Sequence, residues 1–189
     1  EQQAVQTMVR EFAEREIAPV AAERDEHEQF PAEIIRKLSE LGLMGILFPK
    51  AYGGAAMDYI TYALILEELG RYDASVALTV ESHNSLCSNH IYLFGSEAQR
   101  RRYLPRLTGG QALGAWAMTE PGSGSDAAGM QATATHEGDQ WVLSGTKNFI
   151  TQGSVAGIYV IMVLTDRAAR EKGISAFIVE QGTPGLRVG

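Results

Sequence analysis

Apolar residues recur at helical spacing through roughly the first 111 positions of the chain. Near the start they stand one, three or four positions apart: Val5, Met8, Val9 and Phe12. A second apolar stripe follows Pro31 and ends at Gly42, and two further helical segments cover about 60–70 and 74–94. Since residues three and four apart share one face of a helix, the pattern predicts a set of helices, each burying one face.

The last helix of this half has clear boundary signals. Ser96 followed by Gln99 fits a capping box, in which the two side chains satisfy backbone N–H groups at the helix start. Gly109 and Gly110 end the helical pattern, because glycine readily adopts the conformations that terminate helices. The sequence therefore predicts an all-helical domain over residues 1–111.

Beyond this point the period changes to that of short strands separated by glycine-containing turns. The predicted strands are about 112–118, 130–136, 140–144, 157–165 and 174–180. Gly138 and Asp139 lie between the second and third of them and predict a hairpin. We therefore expect an α+β protein whose second part, residues 112–189, is a small barrel-like or sandwich-like β-domain.

Composition narrows the class of protein. Of the 189 residues, 45% are hydrophobic, as in a globular protein, and the net charge of −7 argues against a nucleic-acid partner. The longest apolar run, residues 157–164, is too short to cross a bilayer, so we expect no membrane span. The single cysteine, Cys87, excludes an intramolecular disulfide. We expect a reducing compartment, either a bacterial cytoplasm or an organelle matrix.

Residues 116–126 form a polar loop directly after the first predicted strand. Gly122 and Gly124 let the backbone approach a ligand without a Cβ in the way. The loop also offers three hydroxyl donors, those of Thr119, Ser123 and Ser125. Successive backbone N–H groups in such a loop can bind an anion. The composition fits a phosphate-bearing cofactor, although ordinary surface turns commonly have the same composition.

A second polar segment, residues 145–153, follows about one hairpin downstream. Together the two segments resemble the paired flavin-binding signatures of the acyl-CoA dehydrogenase family, hydrophobic-Thr/Ser-Glu-Pro-x-x-Gly-Ser-Asp and Gly-x-Lys-x-Trp-Ile-Thr/Ser-Asn. Residues 48–54 and 95–107 resemble two further family segments, a Pro-x-x-Tyr-Gly-Gly turn and a Gly-x-x-x-Gln-Lys-x-x-Tyr-Leu-Pro helix. Ordered matches therefore extend from about residue 45 to the end of the chain.

The resemblance implies a fold and a reaction. Family members have an N-terminal helical domain, a flavin-binding middle β-domain and a C-terminal four-helix bundle, which implies a protein longer than this chain. They bind FAD, oxidise an acyl-CoA thioester to the trans-2-enoyl-CoA and pass the electrons to an electron-transferring flavoprotein, normally as homotetramers. Their catalytic base is a glutamate of the bundle, so we expect no catalytic residue in this chain.

Cofactor contacts carry over from the two signatures residue by residue. The flavin-contacting residues that the resemblance implies are Trp116, Ala117, Met118, Thr119, Gly124, Ser125, Phe149, Ile150 and Thr151. Ser125 is also expected to meet the CoA part of the substrate, and the hydroxyls of Thr119 and Thr151 are expected to reach polar atoms of the flavin ring. No metal site is expected, because His83 and His90 lack a third ligand at suitable spacing.

Two positions depart from the family pattern. Phe149 stands where tryptophan is usual, and Gln152 stands where asparagine is usual. Phenylalanine keeps an apolar face for the flavin but lacks the size and the N–H of the indole. Glu120 lies inside the first signature, and we expect it to cap a helix or brace the loop rather than to act as the base.

The residues leave alternatives open. A flavin oxidase or monooxygenase of the same fold, or a non-catalytic flavin- or CoA-binding member, would share much of this pattern. Residues 81–87 resemble the family stretch that borders the acyl pocket, and they fit an ordinary buried helix equally well. The resemblance there favours a short or branched acyl chain, but the chain length itself depends on a pocket formed largely with the bundle.

Overall fold

The computed structural model describes residues 2–189, apart from the side chain of Arg170. The chain forms two compact units, one ending at Ala112 and the other running over Leu113–Gly189. The first unit is helical and the second contains a sheet, so the predicted α+β class is confirmed.

The helical unit contains seven α-helices among the described residues. They are α1 (Gln2–Phe12), α2 (Ala21–Glu26), α3 (Ala32–Glu40), α4 (Tyr59–Gly70), α5 (Ala74–Glu81), α6 (Asn89–Phe94) and α7 (Glu97–Thr108). Wider π-helical turns extend α1 over Ala13–Ile17 and join α5 to α6 over Ser82–Ser88, and a 3₁₀ turn covers Lys50–Tyr52. The segment predicted as one helix over 74–94 is therefore helical throughout but changes its winding in the middle.

Polar side chains define where the helices of this unit begin. The carboxylate of Asp58 accepts a hydrogen bond from the backbone N–H of Thr61 at 2.7 Å at the start of α4. At the start of α7, Ser96 and Gln99 form both hydrogen bonds of the predicted capping box. Such caps satisfy N–H groups that have no partner within the helix, so they stabilise these boundaries by roughly 1 kcal/mol each.

Two buried polar contacts join distant parts of the helical unit. Glu68 of α4 is almost fully buried and accepts two hydrogen bonds from the guanidinium of Arg10 of α1, at 3.0 and 2.6 Å. The Arg10 hydrogen bonds, with help from Gln6, outweigh the opposing effect of burial and lower the pKa of Glu68 to about 2. The pair therefore stays charged and links the first helix to the fourth.

Asn84 lies in the π-helical turn and is fully buried. Its side-chain oxygen accepts from the backbone N–H of Ile46 at 3.1 Å, and its nitrogen donates to the carbonyls of Leu43 at 3.1 Å and Val80 at 2.9 Å. The amide thus satisfies backbone groups of the 43–46 segment, which leaves no spare polar atom to face a ligand. For Asn84, the interpretation of residues 81–87 as a buried structural segment is supported.

The second unit is built on one five-stranded mixed sheet. Its strands are β1 (Gly114–Ala117), β2 (Thr133–Glu137), β3 (Gln140–Ser144), β4 (Ile158–Leu164) and β5 (Ile174–Glu180). The central strand β4 pairs in parallel with β1 and antiparallel with β5, and it meets β2 at a single parallel pair, Thr133 with Leu164. A small β-domain was expected with a barrel-like or sandwich-like form, and residues 113–189 form a β-domain with one mixed sheet.

The predicted hairpin at Gly138 and Asp139 is confirmed. Strands β2 and β3 pair antiparallel from Thr133 with Ser144 to Glu137 with Gln140, and Gly138 has the positive φ of 65° that such tight turns require. Across the described part of the chain, no helix combines the length and the apolar character needed to cross a membrane.

The apolar residues of the sheet form two clusters. One contains Ala115, Ala156 and Tyr159, and the other contains Ala132, Ala134 and Val163. The small side chains from β1 and β2 let the segments on either side of β4 pack closely. Strand β4 contributes to both clusters and therefore holds the loops that follow β1 and precede β4 in fixed positions.

Candidate functional site

The two polar segments singled out in the sequence meet in the second unit. Strand β1 runs directly into the loop at Met118, and the segment 145–157 leads into β4, which pairs in parallel with β1. The backbone N–H of Asn148 donates to the carbonyl of Thr119 at 2.8 Å. The ammonium of Lys147 donates to the carbonyl of Met118 at 2.9 Å. The fold therefore makes one site of two segments that are about 30 residues apart in sequence.

A buried ion pair holds the segments together. The Lys147 ammonium lies 2.8 Å from the Glu120 carboxylate, and the two side chains are 10% and 5% exposed. The other hydrogen bonds of the carboxylate come from the backbone N–H groups of Gln131 at 2.6 Å and Ala132 at 3.0 Å. Of the two predicted roles of Glu120, the structure shows loop bracing, since the carboxylate joins three parts of the chain.

The electrostatics of Glu120 follow from these contacts. Burial raises the pKa of the carboxyl, but hydrogen bonds from Lys147 and from the backbone at Gln131 and Ala132 outweigh it, so the pKa is lowered overall. The group is charged near neutral pH and fully engaged by its donors. A carboxylate of this kind is a poor proton acceptor for a substrate.

The loop after β1 closes through its own backbone. Glu120 and Ser123 exchange N–H···O bonds of 2.8 and 3.2 Å, and the buried Ser123 hydroxyl donates to the carbonyl of Asp126 at 2.6 Å. Ser123 was expected to offer its hydroxyl to a ligand, and the structure instead uses it inside the turn. At Gly122 and Gly124 an added Cβ would meet no described atom within 4 Å, so the loop surface there is open.

The second segment presents a turn with two residues in unusual backbone conformations. Phe149 has φ +55° and a 93% exposed ring, and Gln152 has φ +51°. The turn is closed by the N–H of Gly153, which donates to the carbonyl of Ile150 at 2.9 Å. It is anchored to β4 by the buried Tyr159, whose hydroxyl donates to the carbonyl of Gly153 at 2.8 Å. Non-glycine residues with positive φ are uncommon and concentrate at ligand sites.

The residues predicted to contact a flavin occupy this same region of the second unit. Trp116 and Ala117 are in β1, Ala117 being buried and Trp116 half-buried, while Met118 and Thr119 follow at the start of the loop and are half-buried. Gly124 and Ser125 are exposed, and Ile150 and Thr151 are half-buried. Their positions are compatible with a ligand-facing surface, and their contacts with a cofactor remain a prediction.

The chemistry of these side chains fits a partly polar aromatic cofactor. Among residues 2–189, the hydroxyls of Thr119, Ser125 and Thr151 make no hydrogen bond to the protein, so all three are available to a ligand. The outward ring of Phe149, in the same segment as Thr151, offers an apolar surface. Hydroxyl donors and an exposed aromatic ring suit an isoalloxazine ring, which has a polar edge and two apolar faces.

Sequence reasoning did not assign roles to Lys147 and Asn148, which position the site. The position of Lys147 inside the second signature was the only sequence feature that could have indicated a role at the site. Its partners could not be read from the sequence, because Glu120 is 27 positions away and the contact depends on the pairing of β1 with β4. Within the described residues, no three His, Cys, Asp or Glu side chains are grouped so that they could hold a metal ion.

The chain consists of a helical unit followed by a small mixed sheet with these two joined loops, and family comparisons match each of the two units. The sequence model described as acyl-CoA dehydrogenase, N-terminal domain, matches residues 1–111. The model described as acyl-CoA dehydrogenase, middle domain, matches residues 115–189. The chain belongs to the acyl-CoA dehydrogenase family.

Individual relatives agree with this assignment. The short-chain specific acyl-CoA dehydrogenase of Clostridium acetobutylicum is 46% identical over 189 residues, which are 100% of this chain and 50% of that protein. Butyryl-CoA dehydrogenase from Megasphaera elsdenii has a solved structure that matches with TM-score 0.94 and 42% identity, over 97% of this chain and 49% of that one. The chain spans about half the length of the curated relatives it matches.

A third similar structure concerns electron transfer. It is described as the electron transferring flavoprotein of Acidaminococcus fermentans, studied for flavin-based electron bifurcation, and one of its chains matches with TM-score 0.97 and 42% identity. The match covers 100% of this chain and 50% of that one.

Proposed function

We propose that the protein containing this chain is an FAD-dependent acyl-CoA dehydrogenase that oxidises a short-chain acyl-CoA to its trans-2-enoyl-CoA. The observation that carries the proposal is the joining of the two signature segments, which leaves three hydroxyls and an exposed phenylalanine ring available to a ligand. The short chain is supported by relatives described as short-chain specific and as butyryl-CoA dehydrogenase.

The proposed cofactor contacts follow the site from β1 outwards. Trp116, Ala117, Met118 and Thr119 would contact the flavin ring, as would Phe149, Ile150 and Thr151. The hydroxyls of Thr119 and Thr151 would donate to polar atoms of the ring, where donors stabilise the negative charge of the reduced state. Gly124 and Ser125 would hold the phosphates, and Ser125 would also contact the CoA part of the substrate.

When bound, FAD supplies the two-electron acceptor for the hydride that leaves the β-carbon of the substrate. The residues of this chain hold and orient the reacting groups and exclude water from them. Glu120 is excluded as the base that removes the α-proton, since its carboxylate already accepts hydrogen bonds from Lys147, Gln131 and Ala132. We assign the base to a residue of the family's C-terminal bundle.

The proposed partner is an electron-transferring flavoprotein, which re-oxidises the enzyme. Its support is the similarity to a chain from the Acidaminococcus fermentans electron transferring flavoprotein structure. We also propose a homotetramer located in a bacterial cytoplasm or an organelle matrix, as is usual in the family.

The proposed reaction is tested by anaerobic titration of the full-length, FAD-loaded protein with butyryl-, isovaleryl- and octanoyl-CoA. We expect butyryl-CoA to bleach the oxidised flavin absorbance, with octanoyl-CoA far less effective. Bleaching by none of the three, with FAD bound, contradicts the dehydrogenase proposal and favours a non-catalytic member. Bleaching that molecular oxygen rapidly reverses, with release of hydrogen peroxide, favours an oxidase instead.

A further inference from the structure

The turn that carries Thr151 contains a residue type ill suited to its backbone. Gln152 is the third residue of the four-residue turn from Ile150 to Gly153 and has φ +51°. A positive φ at the third position of such a turn is adopted most easily by glycine or asparagine. Glutamine therefore stands here against the local backbone preference, and an interaction elsewhere must compensate.

The compensating interaction lies on β1. The side-chain amide of Gln152 donates to the carbonyl of Gly114 at 2.6 Å, across 38 positions of sequence. Gly114 is buried at the start of the strand that carries Trp116 and leads to Thr119. The amide therefore joins the turn to β1, the strand in which the first signature begins.

A second contact holds the other end of the same segment. Lys147 holds the start of the segment to the carbonyl of Met118 at 2.9 Å, and Gln152 holds its end to Gly114. Between the two lie Phe149, whose backbone is also left-handed, and Thr151. The segment is thus fixed to β1 and its following loop at both ends, so its outward groups are presented in a defined place.

We propose that Gln152 is a positioning residue for the flavin, which fixes the Thr151 hydroxyl and the Phe149 ring by holding the turn against Gly114. The inference rests on the proposed flavin site and adds a residue to it. Asparagine suits the backbone of this position better than glutamine does, but its side chain is one methylene shorter, so we expect it to lose the hydrogen bond to the Gly114 carbonyl from the same Cα.

The test uses the full-length protein with Gln152→Asn and Gln152→Leu, and Gln181→Leu as a control at an exposed glutamine of the same unit. The readouts are the FAD dissociation constant, the midpoint potential of the bound flavin and its absorption spectrum, together with thermal unfolding of the apoprotein. We expect both Gln152 variants to bind FAD about fivefold more weakly, the typical worth of the one hydrogen bond that a displaced Thr151 hydroxyl no longer donates, and to give a more negative potential. The control is expected to match the wild type in all readouts.

Gln152→Asn separates positioning from simple backbone stability, because it relieves the strained conformation while removing the contact with Gly114. We expect this apoprotein to unfold at or above the wild-type temperature while its flavin properties change. Wild-type affinity, potential and spectrum in Gln152→Asn overturn the positioning role and leave the proposed function intact. Absence of FAD binding by the wild type overturns both.

Discussion

Replacing Glu120 by alanine is expected to lower the free energy of unfolding of the second unit by about 3–5 kcal/mol. The substitution leaves the Lys147 ammonium, only 10% exposed, without its carboxylate. It also removes the acceptor for the backbone N–H groups of Gln131 and Ala132. A nearly buried charge, the buried donor of Ala132 and the partly buried donor of Gln131 lose their acceptor together, and losing a partner costs more than the pair itself contributes.

Urea unfolding of the full-length protein measures this loss, and hydrogen exchange over residues 118–152 shows where it occurs. Two further variants provide comparisons for the loss of unfolding free energy. The double variant Glu120→Met/Lys147→Met removes both charges and is expected to recover part of the stability, since no charge is left buried. Glu33→Ala breaks an exposed ion pair with Arg36 and is expected to leave the unfolding midpoint unchanged. Equal effects for Glu120→Ala and Glu33→Ala would contradict this account.

Acidification is expected to destabilise the helical unit through His83. This side chain is fully buried, and its Nε2 lies 3.1 Å from the carbonyl of Met44 and 3.2 Å from that of Leu107. Two carbonyl partners require a proton on Nε2, and burial disfavours a second proton, so the ring is the neutral Nε2-protonated tautomer near neutral pH. Burial lowers the pKa of His83 from 6.5 to about 4, although its two backbone hydrogen bonds act in the opposite direction.

The sign of the pH effect follows from the lowered pKa. Between pH 6.5 and about 4 the unfolded chain binds a proton at His83 that the folded chain does not, so stability falls as the pH falls through this range. The full loss from this group is about 3 kcal/mol. The loss of stability is complete only below the folded-state pKa of His83, and above about pH 7.5 this group causes no loss.

The measurement is the free energy of urea unfolding of the full-length protein between pH 7.5 and 4. We expect His83→Gln to be less stable at pH 7.5, because it disturbs the packing around Met44 and Leu107, and to show a flatter dependence on pH. His27→Gln, at an exposed position, is expected to keep the wild-type slope. An unchanged slope in His83→Gln would exclude His83 as the origin of the acid sensitivity.

Features set by neighbouring residues could be predicted from the sequence. The capping box of Ser96 and Gln99 and the hairpin turn at Gly138 need only a few adjacent positions, and both occur as predicted. The strands of the second unit lie within two or three residues of their predicted ends, because alternation and glycine turns mark them locally. The helical segment after Asp73 was also found, but not its change to a π-helical turn at Ser82.

Features that depend on long-range pairing could not be predicted. Lys147 reaches Glu120 only because β1 and β4 pair in parallel, and no local pattern specifies that pairing. The left-handed backbone of Phe149 and Gln152 could not be predicted either, because neither residue type favours it and the surrounding contacts impose it. The resemblance to a family predicted which residues form the site, whereas the contacts that hold the two segments together required the structure.

We propose that the two joined segments of the second unit hold the flavin. The most direct test is the FAD dissociation constant of the full-length protein with Thr119→Val and Thr151→Val combined, which removes two hydroxyls at nearly constant volume. Thr146→Val, at an exposed threonine of the same segment, is the matched control. We predict that the double variant binds FAD about 30-fold more weakly, because two hydrogen bonds are lost. The control is expected to bind FAD with wild-type affinity. Wild-type affinity in a folded double variant would contradict the claim.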